Sequence, residues 1–285
     1  MKIFNKIRHF DGLREIYFCG VKIFAYHKRI VVKDCYYEIL KYLALQKHKD
    51  FENLILGSSH GRDGFIPGKN DFNLSNSSLD LYRIWNLYKY VVEHGLNKIK
   101  KVIIFWSVFH PGLQLEKTKE FKKCIPYKAL FNIDYACGFK PYDKYAIKYI
   151  QKQLTKTNCP NDYRGKSGYD KNHIDPADIL VSQHLKNTTR NNNQIQYLDN
   201  IVKLARKQKH AVYIVLPPYR SDYLKYLPDD KIVYRELFDF LNENTDVKLL
   251  NLQRDNDFTD SDFDSPDHCN ENGGIKLTEK IRHKL

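Results

Sequence analysis

Apolar positions along the chain fall into two rhythms. Unbroken apolar runs at Asn53–Gly57, Lys101–Phe105, Ala211–Leu216 and Val247–Leu250 stop at glycine, proline or polar residues. Such runs predict strands buried on both faces. Phe72-Asn73-Leu74-Ser75 predicts a shorter strand. Elsewhere apolar residues return every three or four positions, which predicts amphipathic helices. One covers residues 36–48, with Tyr36, Ile39, Leu40, Leu43 and Ala44 on one face. A second follows Ser77 and Ser78, either of which could cap it, and runs to about His94 through Leu81, Ile84, Tyr88 and Val91. Two more are predicted over Gln194–Lys209 and Tyr234–Asn242. Strands alternating with helices at this spacing predict an α/β fold, a parallel sheet with helices on both sides.

Two segments fall outside that alternation. Between the third and fourth strands lie about a hundred residues, far more than one crossover needs. Residues 112–200 are therefore read as an insertion, with a polar loop over Asn187–Asn193, and it is expected over the C-terminal edge of the sheet, where ligands bind. In residues 1–50, the stretch from Arg14 to Arg29 sets aromatic and apolar residues around Gly20 and closes with bases. It predicts a short hairpin packed on a domain spanning 51–285, or a patch that rests on an anionic membrane face.

Composition narrows the function classes. The chain has 285 residues, 42% of them hydrophobic, enough for a sizeable core. No run approaches the roughly 18 apolar residues of a membrane span, and no secretory signal opens the chain, so a cytoplasmic location is expected, with peripheral attachment at the inner membrane or a glycan-assembly complex. Six cysteines, Cys19, Cys35, Cys124, Cys137, Cys159 and Cys269, are scattered without metal-ligand spacing; reduced thiols and no bound metal are expected. Forty-seven Lys and Arg against 34 Asp and Glu leave a net charge of +13, which suits an anionic partner. The bases are spread along the chain without a nucleic-acid-binding motif, which disfavours DNA or RNA.

The candidate chemistry lies at two distant points. Gly57-Ser58-Ser59 ends the first strand, where a glycine permits a sharp turn and a hydroxyl reaches the sheet edge. Alone it is also what an ordinary strand-to-loop turn looks like. A serine nucleophile needs a histidine base held by a carboxylate, and Asp264-Ser265-Pro266-Asp267-His268-Cys269-Asn270 offers both. Asp264 is preferred as the orienting carboxylate because Pro266 bends the chain between it and His268; Asp267 is the alternative. His60 is a candidate to line the pocket, Arg62 and Arg220 to meet an anionic substrate group, and Tyr219 to line the same end of the sheet. His110, after the third strand, is a weaker candidate.

In this order, strand-Gly-Ser-Ser, strand-Asn-Leu-Ser-Asn-Ser, a buried strand ending Trp106-Ser107 and a late Asp-His-x-Asn-x-x-Gly, the chain resembles the SGNH (GDSL-like) hydrolase superfamily over about residues 51–110 and 211–285. The resemblance implies a flavodoxin-like α/β/α sandwich, Ser59 as nucleophile and His268 as base. It implies an oxyanion hole containing the Ser59 amide. The family's third-block asparagine is replaced by Trp106-Ser107, so Asn76, Ser77 and Ser107 are the candidate further donors. The N-terminal stretch also resembles the opening of bacterial enzymes of surface-polysaccharide assembly. Together these imply an O-acetyltransferase acting on a surface polysaccharide, with acetyl-CoA as acyl donor and no resident cofactor. The alternatives are a carbohydrate O-acetylesterase and a non-catalytic glycan- or nucleic-acid-binding module.

Overall fold

The computed structural model describes residues 3–9, 13–32, 34–95, 98–136, 138, 140–167, 175–188 and 194–285. Three strands open the chain, β1 (Phe4–Arg8), β2 (Leu13–Phe18) and β3 (Val21–His27), followed by α1 (Tyr36–Lys47). Then come β4 (Asn53–Gly57), α2 (Ser59–Gly64), β5 (Asp71–Asn73), α3 (Leu81–Glu93) and β6 (Lys101–Phe105). Helices α4 (Ile125–Phe131), α5 (Lys144–Leu154), α6 (Ala177–Thr188) and α7 (Ile195–Gln208) lead to β7 (Ala211–Leu216). The chain ends with α8 (Ser221–Tyr226), α9 (Asp230–Val233), α10 (Arg235–Glu243), β8 (Lys248–Asn251), β9 (Phe263–Ser265), β10 (His268–Cys269) and α11 (Glu271–Lys284). No helix of the described residues is long and apolar enough to cross a membrane.

Two compact units divide the chain, Met1–Leu43 with Leu115–Cys159, and Ala44–Gln114 with Pro160–Leu285. This division runs differently from a boundary at residue 50 and a single insertion over 112–200. Residues 115–159 go with the N-terminal strands, while α6 and α7 go with the large sheet. Of the polar loop expected over 187–193, Asn187 and Thr188 end α6 and the rest lies outside the described residues.

In the first unit, β1, β2 and β3 form an antiparallel sheet, one strand more than the expected hairpin. The extra strand, Phe-Asn-Lys-Ile-Arg, carries too little alternation to announce itself. Helices α4 and α5 pack together, burying Ile125, Leu130, Ala146 and Ile150.

The second unit is built on a five-stranded parallel sheet in the order β5-β4-β6-β7-β8. Its three central strands keep the ranges expected from their apolar runs, because burial on both faces leaves no polar position to blur them. Alternation divides their side chains between two layers. Ile55, Ile103, Phe105, Tyr213 and Val215 pack with Phe65, Leu277 and Ile281 beneath α2 and α11. Leu54, Leu56, Val102, Ile104, Val212 and Ile214 point the other way, where α3 meets β4 and α7 meets β7. The five cysteines that can be described are free.

One helix start departs from expectation. Asp80, not Ser77 or Ser78, caps α3, its Oδ1 accepting the Arg83 amide at 3.0 Å. Ser78 is held with φ of +57°, a conformation outside the extended region that an N-cap adopts.

The sheet order creates the place where a site can form. From β4 the chain steps to β5 on one side and then returns to β6 on the other. The carboxyl ends of β4 and β6 therefore lie side by side where the strand order reverses, the place at which ligands bind in open α/β sheets.

Candidate active site

Gly57 makes the first turn of this site. Its φ is +142°, and a Cβ there would lie 2.7 Å from the carbonyl oxygen of Phe105 at the end of β6. Only glycine lets the two strand ends come this close. Ser58 then adopts an extended N-cap conformation and Ser59 begins α2. Two adjacent serines thus point in different directions, Ser58 fully buried and Ser59 partly open.

The second half comes from the β9-β10 hairpin, where Ser265 pairs with His268 across a turn made by Pro266 and Asp267. His268 is fixed from below by the start of α11. Asn270 Oδ1 accepts the Gly273 amide at 3.0 Å, and Asn270 Nδ2 donates to the Ser261 carbonyl at 2.7 Å. Gly273 in turn lies where a Cβ would sit 2.1 Å from the Asp262 carbonyl oxygen. The Asn and Gly of the Asp-His-x-Asn-x-x-Gly pattern are therefore the residues that seat the histidine.

Residues 209 positions apart meet here: His268 Nε2 lies 2.7 Å from Ser59 Oγ. On the far side of the ring, His268 Nδ1 lies 2.9 Å from Asp267 Oδ1. The Ser265 hydroxyl donates to the same carboxylate oxygen at 3.0 Å. The preferred orienting residue, Asp264, is not the one in contact. It stands exposed in the middle of β9 between buried Phe263 and Ser265. Strand alternation turns it to the opposite side, whereas Asp267 sits in the turn beside the imidazole.

Electrostatics follow from this pairing. Burial alone would raise the Asp267 carboxyl, but attraction to His268 and contacts with His268, His60 and His184 hold it well below the usual carboxylate range. Burial likewise works to lower His268, and the charge and hydrogen bond of Asp267 outweigh it, so its pKa is raised. An ionised carboxylate accepts only, so His268 Nδ1 carries a proton and Nε2 is left to accept one from Ser59.

His60 lies parallel to His268, ring centroids 4.9 Å apart with 13° between planes. Its Nε2 is 3.4 Å from Asp267 Oδ2, in ion-pair range but outside hydrogen-bond geometry. Its Nδ1 is 2.7 Å from Ser107 Oγ and 3.2 Å from Ser58 Oγ, and those hydroxyls are 2.5 Å apart. Burial lowers the pKa of His60, with Asp267 opposing. A neutral ring with its proton on Nε2, facing the carboxylate, fits every neighbour. His60 is thus a wall beneath His268 and a brace for Asp267.

The remaining candidates are placed as follows. Ser107 donates its amide to His110 Nδ1 at 3.0 Å, and its hydroxyl is held by Ser58 and His60. The turn that brings His110 back over Ser107 removes that amide from the role of oxyanion donor. Ser77 donates its amide to Asn76 Oδ1 at 2.9 Å and takes a bond from Arg62 on its hydroxyl, so its groups too are engaged. Asn76 is buried beside the Ser59 turn, its amide bonded to the Gly57 carbonyl at 3.1 Å. Arg62 grips Asp63 through two bonds of 2.6 and 2.7 Å, and Arg220 grips Asp222 through two of 2.8 and 2.7 Å. Both guanidiniums are thereby committed to carboxylates rather than offered to an anion. Tyr219 is buried with its ring centroid 5.6 Å from that of His60.

Two residues at the site escaped the sequence reading. His184, from α6, puts Nε2 3.9 Å from Asp267 Oδ2 and Nδ1 2.7 Å from the Tyr223 hydroxyl. Both come from helices with no local pattern marking them, and only the fold brings them to Asp267. His60, Asp267 and His268 also bring one ligand atom each within 4.8 Å of the others, a set that could hold a metal ion. Within that set His268 Nδ1 and Asp267 Oδ1 are bonded to each other at 2.9 Å. No family model and no curated protein matches the chain.

Proposed function

We propose that this protein is a serine-dependent acyl-transfer enzyme on a flavodoxin-like, SGNH-type scaffold, with Ser59 as nucleophile, His268 as base and Asp267 as its orienting carboxylate. The reading rests on one observation: an unbroken Ser59–His268–Asp267 relay at 2.7 and 2.9 Å, at the carboxyl end of the central parallel sheet. The strand order β5-β4-β6-β7-β8 supports the flavodoxin-like assignment.

The chemistry follows from the protonation states. Ser59 Oγ attacks an acyl carbonyl while its proton passes to His268 Nε2. Asp267 stabilises the imidazolium that forms. The tetrahedral intermediate collapses, the leaving group takes the proton from His268, and the acyl group remains on Ser59. An acceptor hydroxyl then gives its proton to His268 and attacks the acyl-serine, and Ser59 recovers its proton. The Ser59 amide, in the first turn of α2 where helical amides have no intrahelical acceptor, is the first oxyanion donor. Asn76 is proposed as the second, through Nδ2, since its Oδ1 is taken by Ser77.

The acceptor decides between transferase and esterase. An O-acetyltransferase that moves an acetyl group from acetyl-CoA to a glycan hydroxyl is favoured by the basic net charge of +13, which suits an anionic donor or glycan. The test is release of chromophore from a chromogenic acetyl ester. Ser59→Ala should lower turnover about 10⁴-fold or more. Equal rates for the two proteins would sink the proposal. Acetyl-CoA consumption that depends on added glycan then marks a transferase, and deacetylation without it marks an esterase.

A further inference from the structure

The N-terminal sheet leaves an apolar face turned outward. Strand pairing puts Phe4 opposite Phe18, Lys6 opposite Ile16 and Arg8 opposite Arg14, and continues Arg14, Ile16 and Phe18 to Tyr26, Phe24 and Val21 on β3. These residues share one face, as the Phe4–Phe18 ring contact at 5.0 Å and the Lys6–Tyr26 bond at 2.9 Å attest. On it Phe4, Val21 and Phe24 are 65, 66 and 56% exposed, far from what a core sheet would leave open. On the opposite face His27 stacks on Tyr142 with centroids 4.8 Å apart.

Charge tells what covers the open face. Lys6, Arg8 and Arg14 lie on it among the aromatics. The only acid in the three strands, Glu15, lies on the other face and is already paired with His9 and Lys22. A second copy docking symmetrically would set these bases against their own duplicates, which is unfavourable. Aromatic and aliphatic side chains ringed by bases match the interface of an acidic bilayer, where apolar groups enter the headgroup boundary and bases meet lipid phosphates. We infer that this face docks the protein on an anionic lipid surface. The inference stands on this sheet alone and does not depend on the acyl-transfer reading.

The experiment is co-sedimentation of the full-length protein with phosphatidylcholine vesicles and with equimolar phosphatidylcholine and phosphatidylglycerol vesicles. Binding is expected only to the acidic ones and should weaken with salt. Each base near an acidic surface contributes about fivefold in affinity, so Lys6→Glu with Arg8→Glu should lower binding more than 25-fold. Phe4→Ser with Phe24→Ser should abolish it. Both pairs are exposed, and an unchanged far-ultraviolet spectrum for the charge pair keeps the test clear of misfolding. Lys207→Glu with Lys209→Glu, at the C-terminal end of α7 and its cap, changes net charge equally and should leave most binding intact. The inference is overturned if neutral and acidic vesicles bind alike, if neither binds, or if the α7 pair is as damaging as the sheet pair. Phe24→Ser dispersing a dimer while the wild type ignores vesicles would give the face to a second copy and overturn it too.

Discussion

Two neighbouring strand ends each carry a serine and a histidine, and only one pair joins them side chain to side chain with a carboxylate behind the ring. After β4, Ser59 is partly open and meets His268, whose far nitrogen rests on Asp267. After β6, Ser107 is fully buried and meets His110 through its backbone amide, while His110 Nε2 donates to the Leu79 carbonyl at 3.2 Å. Desolvation, with the nearby His60 adding to it, pushes His110 down to about 3. Asp267 pushes His268 the other way. A serine beside a histidine is therefore not a relay. The carboxylate beside the imidazole of His268, and the partial exposure of Ser59, are what separate the two.

The comparison breaks most severely at its carboxylate. Asp267→Asn should lower turnover about 10³- to 10⁴-fold, because the amide no longer stabilises the imidazolium or fixes the tautomer. The pH profile gives the sign. His268 must be neutral to accept the Ser59 proton, and its pKa is raised, so activity should climb with pH through a value above the ordinary histidine range of about 6.5. In Asp267→Asn that rise should move to lower pH. Asp264→Asn should leave both the rate and the rise in place. A rise that stays put in Asp267→Asn would mean that another group governs the base.

The second strand end should respond in stability rather than rate. His110→Leu leaves the buried Ser107 amide and Leu79 carbonyl without their partner, at a cost of about 2–4 kcal/mol. The linkage has a definite sign. His110 holds its proton far less readily when folded, near pH 3, than at the ordinary value of 6.5. The unfolded chain therefore binds the extra proton between these limits, and stability present above about 6.5 is lost as pH falls toward 3. Urea unfolding from neutral to acidic pH should show a shallower acid-side decline in His110→Leu, by up to about 1.4 kcal/mol per pH unit. An unchanged slope would show that His110 is not the buried neutral group described here.

How much of this was legible from the sequence depends on the kind of signal. The runs ending at Gly57, Phe105 and Leu216 announce their strands because no polar residue interrupts them. Ser59 and His268 are legible as candidates because a glycine turn and an Asp-His-x-Asn-x-x-Gly segment fall in a familiar order. What fails is geometry that spacing does not encode. Asp264 is turned outward from the middle of β9, whereas Asp267 lies in the two-residue turn beside the imidazole, and spacing does not tell the two apart. The α3 cap shifts from Ser77 or Ser78 to Asp80 because Ser78 takes a left-handed conformation. His184 and Tyr223 reach the site through helix packing, and Arg62 and Arg220 are withdrawn by carboxylates one and two residues away.

The smallest effect sharpens the comparison furthest. Ser107→Ala removes a hydroxyl that lies 2.7 Å from His60 Nδ1 and 2.5 Å from Ser58 Oγ. Ser58 Oγ remains 3.2 Å from the same nitrogen and can donate to it directly, so the cost should stay near 1–2 kcal/mol. His60 touches Asp267 on the oxygen that His268 does not use, and its ring backs that of His268. Loosening His60 therefore reaches the relay only through a neighbour, and ester cleavage should fall less than about tenfold. Adding Ser58→Ala strips His60 Nδ1 of both donors, so the double variant should be destabilised by more than the sum of the two single changes, a coupling measurable by urea unfolding. If Ser107→Ala instead abolished activity as Ser59→Ala does, the hydroxyl beside β6 would belong to the chemistry and the division between the two serine-histidine pairs would be wrong.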